Sequence, residues 1–586
     1  MTRPWYFLRH LSQQAPVRTL VLLWLSLIVA DLFWVRDLSW FLEQAQGKRF
    51  WVNFLISALV TWVLLYNLRG YWQRWRGLAA FLLVLIATAY FAQSAYFGIY
   101  RKFITLFDFR FFAADPWMSV ELWWQHGEKL RPVLLALFAT LVFWLAMQIE
   151  RPGRRWLRWS KGTLGGLLFL LVTLNWYGSA HFQMAPIAYS GTLIAAVEFQ
   201  HNRGDYPTKP TLPRQAPDPH KPNLVFVIGE SLNIGHMGIY GYARDTTPQL
   251  SAMAAAGEVF ALRNALSVSP RTLTSVPYML TGLQGIDPHG VIYSVPTLFN
   301  YAKSAGYQTA LITAQDFQWR DIDKLFVDQD LDHFEQGVDF SADVSVSIGA
   351  DDHRVLHNGI LPFIDRTEPL EAPYLLVTQM SGSHTPFSRQ VPQELKQFLP
   401  EENPNSINAY DNTVWYSDLY LSQLVRHIRR QDPDAWIFYS SDHGEHVTGK
   451  GGMFHGDFND EVIHNALLVF PPEGAQALIA QQLDAPVSQV DIFATLLELM
   501  AVEPVLEIDG LSLLQPIPAE RLRIATAMMK TLHNDPRAAL VFPDKSMLEI
   551  DFERMSAKLN NGDVVRYEAL PAEWRALFDR RLEPQS

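Results

Sequence analysis

Five long apolar runs crowd the first third of the chain, at residues 18–36, 50–68, 77–99, 131–149 and 162–178. A helix needs about 20 mainly apolar residues to cross a bilayer, and each run is of that order. Their connectors are Arg-rich, which is hard to fit into the core of a soluble protein. Residues 1–178 are therefore expected to form five transmembrane helices. The abundance of Trp (19) and Phe (36) suits a protein with aromatic belts at the membrane surface.

The positive-inside rule orients these spans. Arg3, Arg9 and Arg18, then Arg69, Arg74 and Arg76, then Arg151, Arg154, Arg155, Arg158 and Lys161 all fall on one side if there are five crossings. That side is the cytoplasm. An odd count puts the rest of the chain outside, which in a Gram-negative cell means an inner-membrane protein with its soluble part in the periplasm. The first run lacks a small-residue cleavage site and reads as an anchor rather than a removed signal peptide. The connector 100–130, with Trp117, Trp123 and Trp124, reads as an interfacial segment on the outer leaflet, or as an ordinary loop with belt tryptophans. Residues 179–222 are polar and Pro-rich toward their end and read as a stiff linker.

From residue 223 to 586 the pattern changes. Short apolar runs at 223–229, 307–313, 373–380, 435–441 and 466–471 read as buried strands. Helical patterns at 296–305, 352–365, 408–430 and 490–501 lie between and after them. This alternation predicts an open, largely parallel sheet covered on both faces, whose ligands bind beyond the carboxyl ends of the strands. The net charge of −11 argues against a general nucleic-acid binder. With no cysteine, disulfides, thiolate metal sites and Cys nucleophiles are all excluded.

Chemistry gathers at one edge of that sheet. Glu230 follows the strand "NLVFVIG", His384 follows "PYLLVTQM", and Asp442 and His443 follow "AWIFYSS". Each alone reads as a surface charge or a helix start; three strands delivering metal-capable groups to one edge suggest a site. The segment "YSSDHGEHVTGKGGMFHGDF", 439–458, adds Glu445, His446, His455 and Asp457.

These motifs carry a resemblance. "VFVIGESLNIGHMGIYGYARDTTPQL", "SPRTLTSVPYMLTGL", "GSHTPF", "YDNTVWYSDLYLSQLV" and "YSSDHGEH…FHG", in that order over about 223–470, are similar to the membrane-anchored phosphoethanolamine transferases of the alkaline phosphatase and sulfatase superfamily. The resemblance implies a membrane-anchored α/β protein whose doubly wound, alkaline-phosphatase-like domain transfers phosphoethanolamine from phosphatidylethanolamine to an envelope lipid or glycan, such as lipid A or lipopolysaccharide core. It implies that Glu230, Asp442 and His443 bind a zinc ion, and that Thr272 is the nucleophile, also in contact with zinc. His384 and His455 would hold phosphate oxygens or move protons. Carboxylate and imidazole are suitable zinc ligands without cysteine, and a metal would make a weakly nucleophilic threonine reactive. Glu445 and His446 read as surface residues, with a second metal or the substrate amine as alternatives. Many relatives carry Cys-Gly before the nucleophile; here the segment is "SVSPRTLTSVP", so Thr274 and Ser269 stay as rivals, and the lipopolysaccharide-core subfamily is a fit. A phosphoglycerol transferase on the same fold, a sulfatase or phosphodiesterase, and a metal-stabilised scaffold without catalysis are the competing readings.

Overall fold

The computed structural model describes residues 16–36, 38, 51, 54–55, 57–65, 75–100, 104, 120, 123–124, 129–149 and 209–582, except 318–321, 343, 345–347, 367–371, 448–453, 530–532 and 560–561. The chain divides into two compact units, Met1–Asp205 and Tyr206–Ser586.

In the first unit, three helices among the described residues are long and apolar enough to cross a membrane: Val17–Val35, Arg76–Gly98 and Leu130–Gln148. They coincide with the first, third and fourth expected spans. The second span is helical wherever it is described, and the fifth, 162–178, lies outside the described residues. Leu27, Ile86, Tyr90, Phe97, Leu135, Ala139, Val142 and Phe143 pack together, while Leu22, Phe81, Val84 and Leu137 remain exposed on the outside. An apolar exterior is what hydrocarbon selects. Three hydroxyls within the helices return to their own backbone: Thr61 donates to Ser57 O (2.9 Å), Thr88 to Val84 O (2.9 Å) and Thr140 to Ala136 O (2.6 Å), which is how a helix satisfies a hydroxyl in an apolar medium. Asp31 and Arg36 are both buried and form an ion pair at 3.0 Å. Of the connector 100–130, Trp123 meets Phe91 edge-on and Lys129 lies over the Trp124 ring; Trp117 is outside the described residues.

The second unit is α/β. Its strands in chain order are β1 (Leu224–Gly229), β2 (Phe260–Ala261), β3 (Ala265–Leu266), β4 (Gln308–Thr313), β5 (His333–Glu335), β6 (Tyr374–Gln379), β7 (Trp436–Ser441), β8 (Leu467–Phe470) and β9 (Val487–Ser488). Then follow β10 (Arg523–Met529), β11 (His533–Val541), β12 (Met547–Asp551), β13 (Ser556–Lys558) and β14 (Val564–Arg566). The main sheet has the order β2-β8-β7-β1-β6-β4-β5. Strands β7, β1, β6, β4 and β5 run parallel, and at one edge β8 pairs antiparallel with both β7 and the short β2. All five expected strands are present within a residue or two of their expected ends. β1, β6 and β7 are buried on both faces, which is why they read as unbroken apolar runs.

The helix Ile407–Gln431 covers one face. Ser406 accepts from Ala409 N at its start, and Tyr410, Val414, Leu421, Leu424, Val425 and Ile428 pack with Val225, Val227, Leu376 and Ile437 of the sheet. The 3–4-residue spacing of those side chains makes one apolar stripe. At its other end Arg429 donates to Ala435 O (2.6 Å) and Phe470 O (2.8 Å). A second sheet, β10 to β14 in sequence order and antiparallel throughout, follows the main one.

Residues 209–222, the described part of the expected linker, lie against this unit. Lys209 pairs with Asp328 (3.0 Å) and Arg214 with Asp330 (2.5 Å), and Leu212 is buried. The charges in this Pro-rich stretch serve to dock it.

Replacing Leu376, fully buried in β6, by Ala is expected to cost about 2–5 kcal/mol. It should appear as a lower thermal unfolding midpoint of the detergent-solubilised chain, with bound metal retained below the transition.

Candidate active site

Parallel register brings the polar strand ends together. Gly229 of β1 pairs with Ser441 of β7, and Ile228 with Gln379 of β6. The next residues are Glu230, Asp442 and the segment 380–384, so three strands release their chains at one level. Ser231 takes a left-handed conformation (φ 57°) and turns the chain so that its N–H donates to Asp442 Oδ1 at 2.9 Å. Tyr410 holds this turn from the covering helix, accepting from Asn233 N and donating to Ser231 O, both at 2.7 Å.

Glu230, Asp442 and His443 are fully buried, and one potential ligand atom from each lies within 4.8 Å of the others. His443 Nδ1 sits 2.8 Å from Gly444 O. A carbonyl can only accept, so Nδ1 carries the proton and Nε2 presents a lone pair toward the carboxylates. Nε2 is 3.4 Å from Asp442 Oδ2 and 3.8 Å from Glu230 Oε1. Glu230 is oriented by Ser231 Oγ (2.9 Å) and Gln315 Nε2 (2.7 Å). Asp442 Oδ1 accepts from the backbone N–H of Ser231 and of His443, whereas its buried Oδ2 accepts no hydrogen bond. A buried carboxylate oxygen without a donor is costly. A cation is the group that this arrangement fits.

The electrostatics agree. Burial, then the neighbouring Glu230 charge, pushes Asp442 up from the usual carboxylate range. Burial pushes Glu445 up to about 8. Burial works against a charged His443, but Asp442, Glu230 and Glu445 outweigh it and raise its pKa. Concentrated negative charge away from water is what a divalent ion would offset.

Thr272 begins the helix Thr272–Met279 after an extended Arg271. Its Oγ1 lies 3.3 Å from both oxygens of Glu230 and 3.2 Å from His443 Nε2. Of its two rivals, Ser269 accepts from Arg271 N, and the Thr274 hydroxyl is buried with no hydrogen-bond partner. Only Thr272 among the three makes hydrogen bonds to the Glu230–His443 cluster. The N-terminus of a helix also favours an anion beside it.

His384 and His455 come to the same place. Their ring centroids are 6.0 Å apart, and His455 is 4.5 Å from the His443 ring. His384 Nδ1 is 2.7 Å from Thr385 O. His455 Nδ1 is 3.2 Å from Glu445 Oε2.

Glu445 is not the surface residue its sequence context suggests; it is 0% exposed. The cause is local. Gly444 donates to Val462 O at 2.7 Å, and a Cβ there would lie 2.0 Å from Glu461 O. This close backbone packing leaves Glu445 beside His455 and His446 at Glu461, 2.6 Å away. The segment "TGKGG", 448–452, falls outside the described residues.

Gln315 and Asp352 were missed. Gln315 comes just after β4, so the rule that picked out the other strand ends applies to it. Asp352 gives no such signal. It is buried, its pKa raised to about 7 mainly by burial, and it accepts from Ser381 N (2.7 Å) and Gly382 N (2.9 Å), fixing the segment that carries His384.

His443→Ala or Glu230→Gln is expected to abolish stoichiometric zinc in the purified full chain by elemental analysis, whereas Thr272→Ala keeps it. Gln315→Ala, which only releases Glu230, should weaken metal retention against a chelator by about 10–100-fold.

Residues 222–502 match the sulfatase family. The phosphoethanolamine transferase EptC of Escherichia coli O18:K1:H7 is 28% identical over 235 residues, 38% of this chain and 40% of that protein. EptA of Helicobacter pylori is 27% identical over 346 residues, 57% of this chain and 59% of that protein. The chain thus spans about half the length of the curated relatives it matches. In structure, the integral membrane protein lipooligosaccharide phosphoethanolamine transferase A of Neisseria meningitidis aligns over 82% of this chain and 95% of its own, with TM-score 0.58 and 17% identity, a likeness of fold. Over residues 222–502 the chain is thus similar to the sulfatase family, and it resembles the phosphoethanolamine transferases among its relatives.

Proposed function

We propose that the protein moves phosphoethanolamine from phosphatidylethanolamine to an envelope lipid or glycan, lipid A or lipopolysaccharide core among them. The observation that carries this reading is the Thr272 hydroxyl, 3.2–3.3 Å from His443 and Glu230 at the start of a helix. In this reading residues 1–178 are a five-span anchor in a Gram-negative inner membrane, 179–222 a linker, and 223–586 the periplasmic catalytic domain. The long apolar helices support it, since an anchored enzyme works on a donor that lives in the bilayer.

The reaction has two steps. Thr272 Oγ1 attacks phosphorus, the bond from phosphorus to the diacylglycerol oxygen breaks, and the threonine proton ends on the released diacylglycerol. The acceptor hydroxyl or phosphate then attacks the phosphoethanolamine-threonine, and Thr272 recovers a proton as its bond to phosphorus breaks. His384 and His455 flank this position and serve to hold the phosphoryl oxygens and to move those protons. Glu445 orients His455. A zinc ion held by Glu230, Asp442 and His443, with Thr272 beside it, supplies a Lewis acid that lowers the pKa of a hydroxyl and offsets phosphoryl charge.

The mass of the Thr272 peptide, from full chain incubated with acceptor-free phosphatidylethanolamine liposomes, tests the reading. A phosphoethanolamine adduct absent from Thr272→Ala is expected; a glycerophosphate adduct would shift the donor to phosphatidylglycerol, and an unmodified, zinc-loaded Thr272 would overturn the reaction class. Removing Trp117, Trp123 and Trp124 together is expected to impair use of the lipid donor more than turnover of a water-soluble phosphodiester. Equal loss on both sinks a lipid-guiding role for that segment.

A further inference from the structure

The carboxyl-terminal sheet carries no residue of the site just described, yet it reaches the segment bearing His455. Asp535 of β11 binds two arginines at once. Arg537, on the same strand, grips it with Nε on Oδ1 and Nη2 on Oδ2, both at 2.8 Å. Arg271, the residue before Thr272, places Nη2 3.2 Å from Asp535 Oδ2. The same Nη2 donates to Gly456 O at 3.2 Å. Arg537 reaches Asp457 Oδ1 at 3.3 Å and lies over the Phe458 ring, and Glu549 of β12 steadies it at 3.2 Å. Residues 456, 457 and 458 are each held, immediately after His455.

The other end of this short segment is held as well: His446 N donates to Phe454 O at 2.5 Å. Gly456 suits the arrangement. Its φ is +103°, and a Cβ there would lie 3.2 Å from Arg271 Nε, so a side chain would push the guanidinium away. One residue, Arg271, is thus joined to Thr272 by the peptide bond and to the neighbour of His455 by its guanidinium hydrogen bond. Asp535 fixes where that guanidinium sits. A bidentate Arg–carboxylate pair is geometrically demanding, and a network sharing one carboxylate is harder to displace than an isolated surface pair.

We propose that Asp535 is a positioning residue: through Arg271 and Arg537 it sets the place of His455 relative to Thr272. The strands after residue 522, which show no chemistry of their own, then act in the reaction. This inference rests on the transfer reading above, because His455 matters only if phosphoryl chemistry occurs at Thr272.

The test follows adduct growth on Thr272 in the zinc-loaded full chain over a range of phosphatidylethanolamine in liposomes. Asp535→Asn is expected to slow the maximal rate about ten- to a hundredfold, as a small misplacement of a reacting group does. The donor concentration for half-maximal rate and the bound zinc should stay at wild-type values. Asp535→Glu, which keeps the carboxylate, should retain more of the rate than Asn. In a His455→Ala background, Asp535→Asn should cause no further loss, since residues acting through one another are not additive. If Asp535→Asn loses its fold, Asp457→Asn, at the more exposed end of the network, carries the same comparison with a smaller slowing. A wild-type rate in Asp535→Asn, or losses that multiply independently of His455, overturns the inference. A wild type that forms no adduct overturns the transfer reading and this one with it.

Discussion

Everything in this molecule that bears on chemistry depends on holding Glu230, Asp442 and His443 together without water. The three are fully buried, and two carboxylates at such proximity repel. The fold supplies what the solvent no longer does. Ser231 N, Ser231 Oγ, Gln315 and His443 N all donate to the two carboxylates, and Gly444 O fixes the imidazole. Only Asp442 Oδ2 is left over. At these two carboxylates the fold comes one interaction short, and the missing interaction has the character of a cation.

The support beneath the site is itself polar. Ser267 donates to Asp442 O, Gln489 to the same oxygen at 2.9 Å, and Ser441 Oγ to His443 O at 2.8 Å while accepting from Leu232 N. These side chains come from three separate segments, so the backbone at 442–443 is fixed from several directions. Such a network is stabilising only when nearly complete. It also explains why Thr272 needs no further device to be aimed. The helix that starts there directs its first hydroxyl into a pocket whose other walls are already fixed.

Much of this was legible in the sequence, and the reason is the parallel sheet. Strands buried on both faces are unbroken apolar runs, so β1, β4, β6, β7 and β8 announced themselves, and the residues just beyond them could be read as one edge. Strand ends in register need no tertiary calculation to be placed together. What stayed hidden had no such period. Glu445 lies two residues after His443 in an irregular loop, where sequence says nothing about which side chains turn inward; close packing of Gly444 on Glu461 decides it. Asp352 lies in a helical region and acts on backbone N–H groups about 30 residues away. The choice among Ser269, Thr272 and Thr274 was likewise beyond chemical reasoning, since three aliphatic hydroxyls are equivalent until one is oriented.

The carboxyl-terminal strands show the same limit from the other side. Burial alternates along β12, and nothing in the sequence of these strands marks Asp535. Arg271, which it binds, and Asp457, which its partner Arg537 binds, are distant in sequence and became neighbours only because the second sheet folds against the start of the Thr272 helix. An ion pair between distant segments has no sequence signature, yet it can control the distance between two groups more tightly than either local segment can. A reaction in which a hydroxyl and an imidazole must serve the same phosphorus is sensitive to that distance. It is therefore reasonable for a fold of this kind to spend a whole sheet on holding one short segment in place.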